Sequence, residues 1–137
     1  MGDLLGHAVR FGDAQDVMAA GEGIETILSL RQALPTMPMV SALSAGHLAA
    51  ILFPPQLRRL YIVRDNDPAG DSARDSLVDR AHEVGIDAIT LSPMMGDFNE
   101  DLATYGLDAV RAEVRVQIAP EDVSRFMASS AIAGTGP

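Results

Sequence analysis

The sequence predicts an α/β protein built on an open, Rossmann-like sheet of about four mostly parallel strands flanked by helices. Two observations carry this. Short apolar runs, at Val17 to Ala20, Met39 to Leu43, Leu60 to Val63 and Ile86 to Leu91, alternate with stretches whose apolar residues recur at helical spacing. The run Leu60-Tyr61-Ile62-Val63 has no alternation of polar and apolar residues, as expected of a strand buried on both faces, and such strands belong to parallel sheets with right-handed crossovers.

In chain order, residues 1–14 carry Gly2, Gly6 and Gly12 among scattered apolar side chains and read as a lead-in or a short edge strand. Val17 to Ala20 ends in Gly21-Glu22-Gly23, after which Ile24, Ile27, Leu28 and Leu34 follow helical spacing. That is strand, tight turn, helix. Pro35 and Pro38 close the helix, Met39 to Leu43 forms the next strand, and Ser44-Ala45-Gly46 turns into a short helix around Leu48 to Leu52, stopped by Pro54-Pro55. After the strand Leu60 to Val63, an apolar stripe of Ala69, Ala73, Leu77, Ala81 and Val84 marks a helix that Gly85 caps. Ser92 to Asn99 reads as a loop containing Asp97 and leads to Glu100 and Asp101. Helices are expected over Leu107 to Val116 and Glu121 to Ala128, and Ala131 to Pro137 reads as frayed. The expected division is a lead-in at 1–14, the main α/β domain at 15–118, and a C-terminal helix and tail at 119–137.

With 137 residues and 47% hydrophobic content, the chain is long and apolar enough for one compact core. It has no cysteine, which excludes disulfides, thiolate zinc sites and cysteine nucleophiles. The N-terminus has no basic run followed by an apolar core, and no segment approaches about 18 uninterrupted apolar residues. A cytoplasmic protein that does not enter a membrane is expected. The formal net charge is −9, and all ten basic residues are arginines, so chemistry that needs a lysine is excluded. An acidic chain repels a phosphate backbone, and the arginines expected near the acidic pair described next, Arg58, Arg59, Arg64 and Arg74, are too few to reverse that.

The stretch Leu60 to Gly70, LYIVRDNDPAG, places Asp65 and Asp67 just past a strand end. Residues i and i+2 of an extended chain point the same way, so both carboxylates face one point, at the edge where ligands of open α/β sheets gather. Such a pair repels itself unless a cation or a basic side chain joins it, and hard oxygen donors suit Mg²⁺ or Mn²⁺. Competing readings fail on residues. An EF-hand beginning at Asp65 would need an oxygen ligand at Ala69 and a carboxylate at Ser76. Phosphatases of the haloacid dehalogenase type and receiver domains need a lysine. A dinucleotide fingerprint at Gly21-Glu22-Gly23 would need a glycine at Thr26. The plainer reading of an aspartate at a helix head is a cap. Glu25, Asp71 and Asp75 read as exposed helix charges, His47 and His82 as surface or packing residues, and Arg64 as an ion-pair partner of the acidic pair. Tyr61, in a buried strand, and Tyr105, in an ordinary helical stretch, are poor nucleophiles.

Three ordered motifs, Gly21-Glu22-Gly23-Ile24-Glu25-Thr26, Asp65-Asn66-Asp67-Pro68-Ala69-Gly70 and Gly96-Asp97-Phe98-Asn99-Glu100-Asp101, resemble those of the Toprim domain shared by bacterial-type primases, type IA and II topoisomerases and OLD-type nucleases. The resemblance covers roughly Val17 to Leu102 and is strongest to plasmid and phage primase-like proteins. It implies a Toprim-like fold and metal-dependent nucleotidyl or phosphoryl transfer on nucleic acid, as in the catalytic domain of a DNA primase-like protein acting in replication. It implies Asp65 and Asp67 as ligands of Mg²⁺ or Mn²⁺, Asp97 as an outer or second-metal ligand, and Glu22 as a ligand or proton shuttle. Thr26 stands where primases of this class often have an aspartate. The chain carries no zinc module and no basic template-binding region, so a further domain or partner is expected to supply affinity for nucleic acid. A non-catalytic metal-binding or interaction module, or an OLD-type nicking nuclease, would share the same motifs.

Overall fold

A computed structural model describes residues 8–127. Parts of the expected lead-in, the end of the last helix at Ala128 and the tail Ala131 to Pro137 lie outside the described residues, as does the side chain of Ala69. The strands are β1 (Val9–Phe11), β2 (Val17–Gly21), β3 (Met39–Ser41), β4 (Arg59–Val63) and β5 (Asp87–Leu91), in the sheet order β1-β3-β2-β4-β5. The expected parallel strands are the last four. The fifth, β1, runs antiparallel along β3, with Val9 opposite Ser41 and Phe11 opposite Met39. Three residues are too few to give a periodic signal. Gly12, at φ 84°, turns the chain out of this edge strand.

Every residue of β2, β3 and β4 is buried, and their side chains alternate between two cores. Val17, Ala19, Met39, Tyr61 and Val63 face one side, where α1 (Ile24–Ala33), α4 (Phe98–Tyr105), α5 (Leu107–Arg115) and α6 (Pro120–Phe126) supply Ile27, Leu30, Phe98, Val110, Val114 and Phe126. Met18, Ala20, Val40, Leu60 and Ile62 face the other, where α2 (Ala45–Ala49) and α3 (Pro68–Glu83) supply Leu48, Ala73, Leu77 and Ala81. The helices after β2 and β4 therefore leave toward opposite faces. Their loops diverge and open a crevice at the carboxyl ends of two neighbouring strands.

Three elements depart from expectation. Helix α2 starts at Ala45, earlier than Leu48, because the Ser44 hydroxyl accepts the His47 N–H at 3.1 Å and caps it. Helix α4 occupies the stretch after the expected loop. Asp97 caps its start, and Gly106, at φ 89°, breaks it from α5. Val84 is 65% exposed and leaves the apolar stripe, because α3 ends just before it. Gly85, at φ 77°, closes that helix as expected, with the Ile86 N–H bonded to the Ala81 carbonyl at 2.8 Å. Among the described residues no helix is long and apolar enough to cross a membrane.

A buried polar cluster fastens α6 to the start of β4. The Tyr61 hydroxyl donates to Asp122 Oδ2 and accepts the Ala119 N–H at 2.9 Å, and Arg59 Nη1 reaches the same Asp122 oxygen at 2.9 Å. Burial, followed by the bond to Asp122, raises the phenol pKa well above its usual range. Asp122 is 1% exposed, so removing it leaves a desolvated guanidinium short of its partner. Asp122→Ala is expected to cost about 3–5 kcal/mol, read from the urea midpoint. Glu121→Ala, which removes an exposed partner of the same arginine, is expected to shift that midpoint little.

Candidate metal centre

Glu22 follows β2 at the crevice. A Cβ on Gly21 would lie 2.9 Å from Ile27 Cδ1 and 3.1 Å from Val63 Cβ, so a side chain here would push Ile27 aside and crowd β4. The Glu22 carbonyl accepts the Leu43 N–H at 2.6 Å and the Ser41 hydroxyl at 3.2 Å, which ties this turn to the end of β3. Leu43 holds φ 73°, a left-handed conformation that a branched side chain seldom adopts.

Asp65, Asn66 and Asp67 follow β4. Asp67 caps α3 with Oδ1 on the Gly70 N–H at 2.5 Å, and Pro68 opens the helix. A Cβ on Gly70 would sit 3.1 Å from Asp67 Oδ1 and 3.3 Å from the Asp65 carbonyl, so glycine keeps this turn tight.

The two loops bring together the carboxylates that the motifs single out. Glu22, Asp65 and Asp67 each offer an oxygen, and these atoms lie within 4.8 Å of one another. Glu22 Oε2 is buried with no hydrogen-bond partner. Burial, then the charge of Asp67, raises the Glu22 pKa. Asp65 is pushed up to about 6 by burial first and then by the charges of Glu22, Asp97 and Asp67. The Thr26 hydroxyl donates to Asp65 Oδ1 at 3.5 Å and opposes that shift. None of the ion pairs among the described residues involves the three carboxylates. An orphaned buried oxygen inside a hard, all-oxygen donor set fits a divalent cation of the Mg²⁺ or Mn²⁺ type. Asp97 stands outside this three-oxygen group. Its Oδ1 accepts the Glu100 N–H at 2.7 Å and caps α4, while its charge reaches Asp65.

The basic residues are placed differently from expectation. Arg64 makes no ion pair with Asp65 or Asp67 but forms a two-pronged bond to Asp71, with Nε at 2.8 Å and Nη2 at 3.2 Å, while the charge of Asp67 still reaches it. Asp71 is therefore a paired residue, not a solvated helix charge, and Arg74 also reaches it at 3.8 Å. Arg58 and Arg59 sit at the amino end of β4, across the sheet from the crevice, where Arg58 pairs with Asp16 at 2.8 Å and Arg59 with Asp122 at 2.9 Å. His47 and His82 are exposed and outside the cluster, as is Tyr105. Three residues the motif reading left without roles hold the site's loops. Asn66 bonds the Gly96 carbonyl, buried Asp101 bonds the Met94 and Met95 N–H groups, and Glu100 bonds the Gly96 N–H. The acidic run of Glu100 and Asp101 was the available signal, but it pointed equally to a solvated helix start.

Residues 17–108 match the family model described as the Toprim domain, a span that contains Glu22, Asp65, Asp67 and Asp97. Among solved structures the chain is similar to the primase of Aquifex aeolicus, a crystal structure of its zinc-binding and RNA polymerase domains. The TM-score is 0.54 at 17% identity, over 75% of this chain and 26% of that one. At that identity the likeness is one of fold. No curated protein matches the chain.

In chelator, Asp65 binds its proton more tightly in the folded chain than in the unfolded one. Its contribution to stability is therefore full below pH 3.8 and is lost as pH rises through about 6. Asp65→Asn keeps the acceptor for Thr26 and removes that loss. The variant is expected to gain on the wild type across this window, reaching about 1 kcal/mol at pH 7 once solvent screening is allowed for. Chelator melting curves that run parallel at every pH would show that burial and the neighbouring carboxylates do not raise the Asp65 pKa.

Proposed function

This chain belongs to the Toprim family, and from that premise we propose that it is a metal-dependent catalytic domain of a DNA primase-like protein, performing nucleotidyl or phosphoryl transfer on nucleic acid. The observation that supports this most is the meeting of Glu22, Asp65 and Asp67 within 4.8 Å at the crevice. These residues would hold Mg²⁺ or Mn²⁺, with Asp97 as an outer contributor. Bound there, the ion supplies neutralisation of the charge that grows on phosphoryl oxygens during in-line attack. Asp65 and Asp67 fix where that charge is met, since their backbone is pinned by the strand end and by the start of α3. Glu22, with its pKa raised by burial, is suited to accept the proton of an attacking hydroxyl.

A non-catalytic module of the same fold would explain Asp67 and Asp97 as helix caps, and both do cap. Capping accounts for neither Glu22 nor Asp65. Each cap also uses only Oδ1, which leaves Oδ2 of both aspartates available to a cation.

Substrate affinity is expected to come from elsewhere. The net charge of −9 opposes a polyanion, and Arg64 and Arg74 are already engaged by Asp71. A further domain or partner that binds template, in a cytoplasmic setting such as plasmid or phage replication, fits this deficit.

Calorimetric titration with Mn²⁺ is expected to show binding by the wild type that an Asp65→Ala, Asp67→Ala double variant loses. Glu22→Gln should lower metal-dependent nucleotide incorporation or nicking by about 10²–10⁴-fold. Anisotropy of a labelled single strand at low salt should report weak binding that strengthens with Mg²⁺. Equal metal binding by the double variant, or tight DNA binding that persists in chelator, would sink the reading.

A further inference from the structure

We infer that Asn66 is a positioning residue that couples the loop of Asp97 to the Asp65 and Asp67 pair, and that the Arg64 and Asp71 ion pair orients it. The inference rests on the proposed metal-dependent reading of the same crevice. Asn66 lies between the two aspartates, at the centre of a tight turn closed by the Asp67 N–H on the Asp65 carbonyl at 2.8 Å, and its polar contacts run to Arg64 and to the loop after β5. It makes three such contacts. Its N–H donates to the Gly96 carbonyl at 2.8 Å, its Nδ2 donates to the Met95 carbonyl, and its Oδ1 accepts from Arg64 Nη1. Arg64 is itself held by both oxygens of Asp71.

The loop that Asn66 grips is fixed from its other side by α4. Asp101 accepts the Met94 and Met95 N–H groups at 2.6 and 2.8 Å, and Glu100 Oε1 accepts the Gly96 N–H at 2.8 Å. A Cβ on Gly96 would come within 2.7 Å of that Glu100 oxygen, so the loop passes close against the helix. The Met95 and Gly96 carbonyls are left facing Asn66, and the next residue in the chain is Asp97. Without the Asn66 side chain, the hydrogen bonds left among the described residues between the segment after β4 and the end of β5 and its loop are two backbone ones, Asn66 N–H to the Gly96 carbonyl at 2.8 Å and Arg64 N–H to the Leu91 carbonyl at 2.9 Å.

The contact needs an amide. Aspartate at this position would set an oxygen against the Met95 carbonyl, and alanine would keep only the backbone bond to Gly96 and lose both side-chain bonds, to Met95 and to Arg64. Asn66 is exposed, so water can replace its bonds at small cost to the fold. The effect of losing it should appear in the placement of Asp97, whose charge already reaches Asp65. Residues that orient ligands without touching the metal commonly govern affinity.

The test is Mn²⁺ affinity of the full chain by calorimetry, with melting curves as a control of folding. Asn66→Ala is expected to weaken binding by about 10-fold or more, and Asp71→Ala by a smaller, several-fold factor. If Asn66 acts through Asp97, an Asn66→Ala, Asp97→Ala double variant should bind no worse than the weaker single variant. Additive losses in that cycle, or wild-type affinity in Asn66→Ala, overturn the inference. Should Asn66→Ala fail to fold, Asp71→Ala decides: weakened binding supports the coupling and unchanged binding overturns it. Undiminished binding by the Asp65→Ala, Asp67→Ala variant would instead show that the underlying reading had failed.

Discussion

Parallel pairing of β2 with β4 sets Gly21 opposite Val63, and the place of each crevice carboxylate follows from that register. Glu22 and Arg64 leave the sheet side by side, and Asp65 comes next. A slip by one residue would exchange the two faces of the strand and move Tyr61 out of its core, so the core itself holds the register. The absence of a side chain at Gly21 keeps the strand ends close, since any Cβ would meet both Ile27 and Val63. The loops can then diverge because Ile27 and Leu30 belong to one core and Ala73 and Leu77 to the other.

Charge is distributed by the same logic. Arginines that could soften the acidic crevice are committed elsewhere: Arg58 and Arg125 to Asp16, Arg59 to Asp87, Glu121 and Asp122, and Arg64 and Arg74 to Asp71. Apart from the buried Arg59–Asp122 pair, these partly exposed pairs contribute little to stability. Their local consequence is larger, because they leave Glu22, Asp65 and Asp67 facing one another with no ion pair among the described residues.

Much of this arrangement was legible in the sequence. The strands β2, β3 and β4 announce themselves as apolar runs, since a strand buried on both faces leaves few polar positions to confuse the signal, and the partly exposed β5 shows through Ile86, Ile89 and Leu91. The order of Glu22, Asp65, Asp67 and Asp97 along the chain matches their appearance at successive strand ends. Side-chain partners across a turn were not legible. Arg64 sits next to Asp65 in sequence, yet it bonds Asp71, because the turn into α3 brings a residue seven positions on beside it. Arg58 and Arg59 look close to the acidic motif, but the length of a five-residue strand separates them from it. Helix α4 was hidden because its eight residues begin within a run of polar side chains that also suits a loop.

Asp67 and Asp97 each serve a helix start, and asparagine serves a helix start about as well as aspartate. A lineage of this chain released from selection on its chemistry could exchange both acids for amides and keep its helices, its sheet and its yield. Such decay would be silent to any screen for folded protein. The negative charge at these two positions is thus a property that folding does not require, and only a readout of charge, not of structure, would register its loss.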